Sequence, residues 1–144
     1  MISTAFATDL LKLIFNATNI AGLADNAGSS PLGSLYLSLH TADPGAGGSQ
    51  STSEVTYTGY SRLAVARGAS GFTITGATMN PTSVMEFPEM TGGTPQTATH
   101  MCIGKAASGA GQVLFRFALT PAVSLNVNVT PRLRTTTALT AVTA

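Results

Sequence analysis

The chain has 144 residues, 44% hydrophobic and only 9% charged, with seven Lys and Arg against six Asp and Glu for a formal net charge of +1. Such a chain can bury a core without covalent staples and is the compositional opposite of a disordered segment. No Lys/Arg cluster gives a nucleic-acid footprint, and the lone Cys102 excludes an internal disulfide or a CxxC zinc module. With so little charge, much of the surface must be Ser, Thr, Asn and Gly, which resists association poorly and suits a subunit of an assembly.

The first element is the only helical pattern. In "STAFATDLLKLIFNATNIAGL", Phe6, Leu10, Leu13 and Ile14 recur at helical spacing, with Ser3 or Thr4 as N-cap and Gly22 as stop, predicting a helix over about 4–20. Its apolar stretch is too short to span a bilayer and holds Asp9 and Lys12, so neither a membrane anchor nor a secretory leader is expected. Residues 21–33 read as a connector, and 34–144 as strands and turns, the whole forming one domain.

Strand signals follow at short intervals. "LYLSLH" points Leu35, Leu37 and Leu39 one way and Tyr36, Ser38 and His40 the other. "ADPGAGGSQSTSE" reads as a long, flexible loop. "YSRLAVAR" sets Leu63 and Val65 against Arg62, Ala64 and Ala66, and "GFTITG" is a short strand between glycines. In "SVMEFPEM", Met85 and Phe87 point inward, Glu86 outward, and Pro88 ends the strand. "THMCIG" and "VLFRFAL" alternate, and "AVSLNVNV" alternates most cleanly, with Val123, Leu125, Val127 and Val129 inside. "RLRTTTALTAVTA" has the threonine content of a strand surface. About eight short strands behind one helix predict an all-β fold, an antiparallel jelly-roll-like sandwich.

Few residues offer chemistry. His40 with Asp43 could orient an imidazole against a carboxylate, but Asp43-Pro44-Gly45 also has the composition of a type II turn, the favoured reading. His100 and Cys102 share a strand face and with His40 would supply three metal ligands only if their strands were neighbours. Glu86 and Glu89 flank a proline and suit a strand end better than a glycosidase cleft. The 45–48 glycines precede no P-loop lysine, and "GYSRL" lacks the second glycine of a nucleophile elbow. No enzyme, cofactor or metal is expected. Arg62, Arg67, Arg116, Arg132 and Arg134 outnumber the two lysines and are assigned to outward faces, as contacts with carboxylates of a partner or, equally, as solvent-facing sheet charge.

The runs "LYLSLHTADPG", "EVTYTGYSRLAVAR", "VMEFPEMTGG" and "ATHMCIGKAASGAGQVLF", in this order over about Leu35–Leu119, resemble small virion structural proteins of tailed bacteriophages. The shared pattern is a leucine-rich strand entering a His-Thr-Ala-Asp-Pro-Gly turn, a Glu-Val-x-Tyr-x-x-Tyr-x-Arg strand, a Phe-Pro segment and a Thr-His strand before a Gly-rich hairpin. The chain looks most like the jelly-roll cement proteins that decorate phage heads. That resemblance implies a virion location on the head surface after synthesis in the host cytoplasm. It also implies clamping of the major capsid protein, self-association with a dimer favoured, and contact with neither nucleic acid nor membrane. The residues assigned to interfaces are Arg62, Arg67, Arg116, Arg132, Arg134, Asp43, Gln50, Leu10 and Phe6. A tail or baseplate component is the structural alternative, and a host-surface carbohydrate binder working through the 42–54 loop is the alternative of another class.

Overall fold

Alternating side chains make the chain mostly β. In the computed structural model, which describes residues 4–20 and 32–140, one helix precedes nine strands. The helix is α1 (Thr4–Asn16). The strands are β1 (Ser34–His40), β2 (Leu63–Ala66), β3 (Phe72–Thr75), β4 (Thr78–Pro81), β5 (Met85–Glu86), β6 (Gln96–Gly104), β7 (Val113–Leu125), β8 (Arg132–Leu133) and β9 (Leu139–Thr140). The β1–β6, β6–β7, β3–β4 and β4–β9 ladders are antiparallel. The chain is therefore all-β with an N-terminal helix, as its patterning predicts. Ser3, Gly22 and most of the 21–33 connector lie outside the described residues.

The contacts divide the chain into two compact units. The first contains Met1–Gly33, Ala66–Met85 and Leu133–Ala144. Here the β3–β4 hairpin turns through Gly76, at a φ of 58° that favours glycine, and β9 joins β4 through the pairs Thr78 with Thr140 and Met79 with Leu139. Helix α1 lies against this hairpin, with Phe15 meeting Phe72 edge to face at a centroid distance of 4.8 Å. Ala7, Leu11 and Phe15 are the buried helix residues, whereas Phe6, Leu10, Leu13 and Ile14 are half-buried. The helical pattern was thus legible, but the buried line runs one residue on from the expected stripe, where it meets Phe72.

The helix also stops four residues earlier than expected. Ala17 takes a left-handed φ of 53°, and Thr18 N–H donates to Lys12 O at 3.1 Å, a bond one residue longer than the six-to-one contact of a Schellman ending.

The second unit contains Ser34–Val65 and Glu86–Arg132. Its sheet has the order β2-β1-β6-β7. Register places Leu37 opposite Ile103, Leu39 opposite Met101, and these in turn opposite Phe115 and Phe117, so one face is apolar. The other face carries Ser38, His40, His100, Cys102 and Arg116. Contrary to simple alternation, Ser38, His40 and Cys102 on that face are fully buried.

Two strand expectations are corrected here. "VLFRFAL" and "AVSL" form one strand, β7, which ends at Leu125. "NVNV" is a turn: Val129 N–H donates to Asn126 O at 3.0 Å, Asn128 has a φ of 68°, and Val127 is 48% exposed. Asparagine tolerates the positive φ of a turn, and this outweighs the alternating valines. The short strand β4, unexpected because its sequence ends in Asn80-Pro81, forms through hairpin pairing with β3.

Candidate functional site

The polar face of the second unit is covered by the segment after β1. Residues 41–55 form an ordered strap rather than a flexible loop. At its far end Thr41 N–H donates to Ser53 O and Val55 N–H to Leu39 O, at 2.8 and 3.0 Å. At its near end Asp43 Oδ1 accepts the Gly45 N–H at 2.9 Å, with Gly45 at a φ of 75°, so Asp43 is a turn residue. The Gly45 amide, and the Arg116 guanidinium that ion-pairs with Asp43, hold the Asp43 carboxyl below its ordinary value.

Gln50 anchors the middle of the strap. It is fully buried, donating from Nε2 to Tyr36 O at 3.3 Å and accepting at Oε1 from Ala106 N–H at 3.0 Å. Its own N–H donates to Gly111 O at 2.8 Å. A Cβ on Gly104 would fall 2.1 Å from Gln50 Cδ, and one on Gly111 would fall 2.4 Å from Oε1. At Gly104 the amide fills the space a Cβ would need, and at Gly111 the amide and the Ala106 Cβ, which would also lie 2.4 Å away, fill it together. Gln50 therefore faces inward and cannot serve as a surface contact, because both ends of its amide satisfy main-chain groups.

Beside it lies a buried ion pair. Arg62 donates from Nε and Nη2 to the two carboxylate oxygens of Glu54, each at 2.7 Å, and from Nη1 and Nη2 to Ala106 O and Gly109 O at 3.0 and 2.7 Å. The Arg62 side chain is 2% exposed and that of Glu54 15%. The bidentate carboxylate holds the guanidinium pKa above its ordinary value. Tyr60 donates its hydroxyl to Glu54 Oε1 at 2.9 Å while accepting the Leu39 N–H at 3.1 Å, and burial pushes its phenol well up.

The Glu-Val-x-Tyr-x-x-Tyr-x-Arg run is thus a turn rather than a strand. Tyr60 N–H bonds to Tyr57 O at 3.1 Å around Gly59, whose φ is 97°. Val55 and Tyr57 are buried, and Tyr57, with its phenol pushed up to about 12 by burial, donates to Pro88 O at 2.7 Å. The run and the Phe-Pro segment are joined by that bond.

The histidines do sit on adjacent strands, His40 directly opposite His100 and Ser38 opposite Cys102. His40 bonds through Nδ1 to Thr52 O at 2.8 Å and through Nε2 to Ser38 Oγ at 2.9 Å. A carbonyl only accepts, so the proton lies on Nδ1, and the neutral Nε2 accepts from Ser38. Burial lowers the His40 pKa and pushes the Cys102 thiol up to about 11. His100 Nδ1 is 2.9 Å from Thr99 Oγ1. Among the described residues no His, Cys, Asp and Glu group is arranged to hold a metal ion. What this face can do chemically is fix backbone: its side chains hold main-chain groups of the strap and of the 105–112 hairpin.

The assigned interface residues separate into three kinds. Arg62 and Gln50 turn inward, which corrects their assignment to the surface. Arg67 serves the first unit internally, donating from Nε to Ile14 O, from Nη2 to Leu13 O and from Nη1 to Leu32 O, at 2.6, 2.6 and 2.9 Å. Arg116, Arg132 and Arg134 are exposed, Arg116 pairing with Asp43 and Arg132 with Glu86, while Phe6 and Leu10 are half-buried. Glu54 and Tyr60, together with Gly104 and Gly111, were not singled out from the sequence. Their signal was present in the Glu-to-Arg run and the Gly-rich hairpin, but only the fold shows that they meet.

Residues 1–140 match a protein-family model described as podophage GP4 fiber I protein gp80. No curated protein matches the sequence.

Proposed function

The chain belongs to the podophage GP4 fiber I protein gp80 family and is a phage virion structural protein, and from that premise we propose that it is a non-catalytic subunit of the tail-fibre apparatus. The observation that carries this reading is the family match across nearly the whole chain, which names a fibre protein. The site geometry supports the non-catalytic part. His40, Glu54, Tyr60 and Arg62 have internal hydrogen-bonding partners, and their arrangement stiffens a strap and a hairpin tip. In this reading the exposed Arg116, Arg132 and Arg134, with Phe6 and Leu10, are the contact residues, toward a second copy or a neighbouring virion protein.

Head decoration, with the major capsid protein as partner and a dimer as the working unit, is the second reading. It is favoured by the low charge and abundant Ser and Thr, which suit burial between many subunits. Copy number separates the two. Quantitative mass spectrometry of purified virions, with gold labelling of the chain, should find few copies, at the tail. Hundreds of copies spread over the head would overturn the fibre reading.

A further inference from the structure

We propose that the middle of the strap, residues 45–52, and the hairpin tip, residues 105–112, form one conformational element that opens and closes as a unit, apart from the sheet. The tip does little to hold itself. Its sequence, "KAASGAGQ", offers few side chains to pack, and its two glycines lose the most freedom on ordering. Below it the β6–β7 ladder breaks register, skipping Leu114 between the Ile103–Phe115 and Gly104–Val113 pairs. Among the described residues, the main-chain bonds within the tip are Lys105 N–H to Gln112 O at 3.2 Å and Gly111 N–H to Gly109 O at 2.9 Å.

Further bonds to the tip come from the strap or through it. Gln50 accepts the Ala106 N–H on Oε1 and gives its own N–H to Gly111 O, and Ser49 bridges to Gln112. Ala106 O and Gly109 O accept from Arg62, whose fork is set by Glu54 of the strap. The dependence runs both ways, since the buried Gln50 has the tip as partner for its main-chain N–H and its Oε1. If either loop lifts, the other loses bonds that its own residues do not replace, so half-open forms are disfavoured. The base of the strap is fastened separately, by Thr41 N–H to Ser53 O and Val55 N–H to Leu39 O, and stays closed when the element opens. A partner seated on either loop therefore stabilises both, by reciprocal linkage. The coupling rests on these bonds and is independent of where in the virion the chain sits.

Two left-handed glycines supply the test, Gly45 in the strap at a φ of 75° and Gly109 in the tip at a φ of 72°. A Cβ at either meets nothing within 4 Å, so each substitution strains only its own backbone. Hydrogen exchange of the intact chain, followed by NMR, reads Ser49 and Thr52 N–H in the strap and Lys105 and Gly111 N–H in the tip. Each of these amides bonds within its own loop. Gly45→Ala should quicken exchange roughly fivefold at all four, and Gly109→Ala should do the same, while Val55 and β6 stay protected. Loosening confined to the substituted loop overturns the proposal, as does exchange that quickens equally in β6. Should alanine be too mild to move its own loop, Gly45→Val and Gly109→Val strain the same angle further and decide on the same criterion.

Discussion

Arg62 and Arg67 are five residues apart on either side of β2, in a run that looks like one arginine-flanked strand, yet each belongs to a different unit and has a different kind of partner. Arg62 is neutralised by a carboxylate and then reaches two carbonyls of a hairpin tip. Arg67 has main-chain carbonyl partners: Leu13 O and Ile14 O at the end of α1, and Leu32 O. The last carbonyls of a helix lack intrahelical partners and carry partial negative charge, so one guanidinium can stand in for a C-cap. A half-buried cation such as Arg67 can do without an anion partner where aligned backbone dipoles take its place; the buried Arg62 lacks that option because its carbonyls come from an irregular tip.

That difference sets the order of expected effects. Arg62→Met should be the most damaging, at about 3–5 kcal/mol in urea denaturation, because it strands the Glu54 carboxylate against the sheet. Pairing it with Glu54→Leu should recover part of the loss. If the double variant is as unstable as the sum of the two singles, the carboxylate is not what makes the single variant costly.

Gly104→Ala sharpens the same side of the comparison. It should cost about 1–3 kcal/mol by driving Gln50 from its place, and Gln50→Ala in the same chain should cost much less than the two changes added. Additive losses would show that the glycine is needed for something other than the Gln50 amide.

Arg67→Ala should cost about 2 kcal/mol, with the loss confined to α1 and its end. Backbone exchange should quicken for the last turn of the helix while β1 and β6 stay protected. Arg67→Lys should not restore it, since an ammonium cannot span three carbonyls with a planar fork. Loss of protection in β1 instead would mean that Arg67 supports the sheet of the second unit, and the contrast with Arg62 would fail.

Arg132→Ala should change stability by only ~0–0.5 kcal/mol, since its pair with Glu86 is exposed on both sides. If thermal melts show it to be as harmful as Arg67→Ala, that pair has a structural weight its exposure does not suggest.

Much of the fold was legible from single positions. The alternation of Leu35, Leu37 and Leu39 and of Met85 and Phe87 gave the inward side chains correctly, because a strand's period of two needs no distant partner. The Asp43 turn was legible for a similar reason: the Asx bond and the positive φ of Gly45 lie within three residues. The candidate site was much less so. Gln50 looked like a surface residue in a polar loop, and nothing within ten positions of it announces Tyr36 O, Ala106 N–H or Gly111 O. The valines of "NVNV" misled because alternation describes what a segment would do as a strand, not whether a ladder partner continues beside it.

From the residues alone, then, came the period of each strand, the helix, the local turns and the likeness to phage virion proteins, all of which depend on side chains near one another in the chain. Tertiary structure decided which polar residues are inside. Alternation assigns His40 and Ser38 to one face of β1, but whether that face meets water depends on what folds over it. The cover is a strap fastened by Gln50 to a hairpin more than fifty residues later, through Ala106 N–H and Gly111 O. A buried polar group must find its partner wherever the chain supplies one, and these partners are main-chain atoms, which every residue carries and no sequence pattern marks.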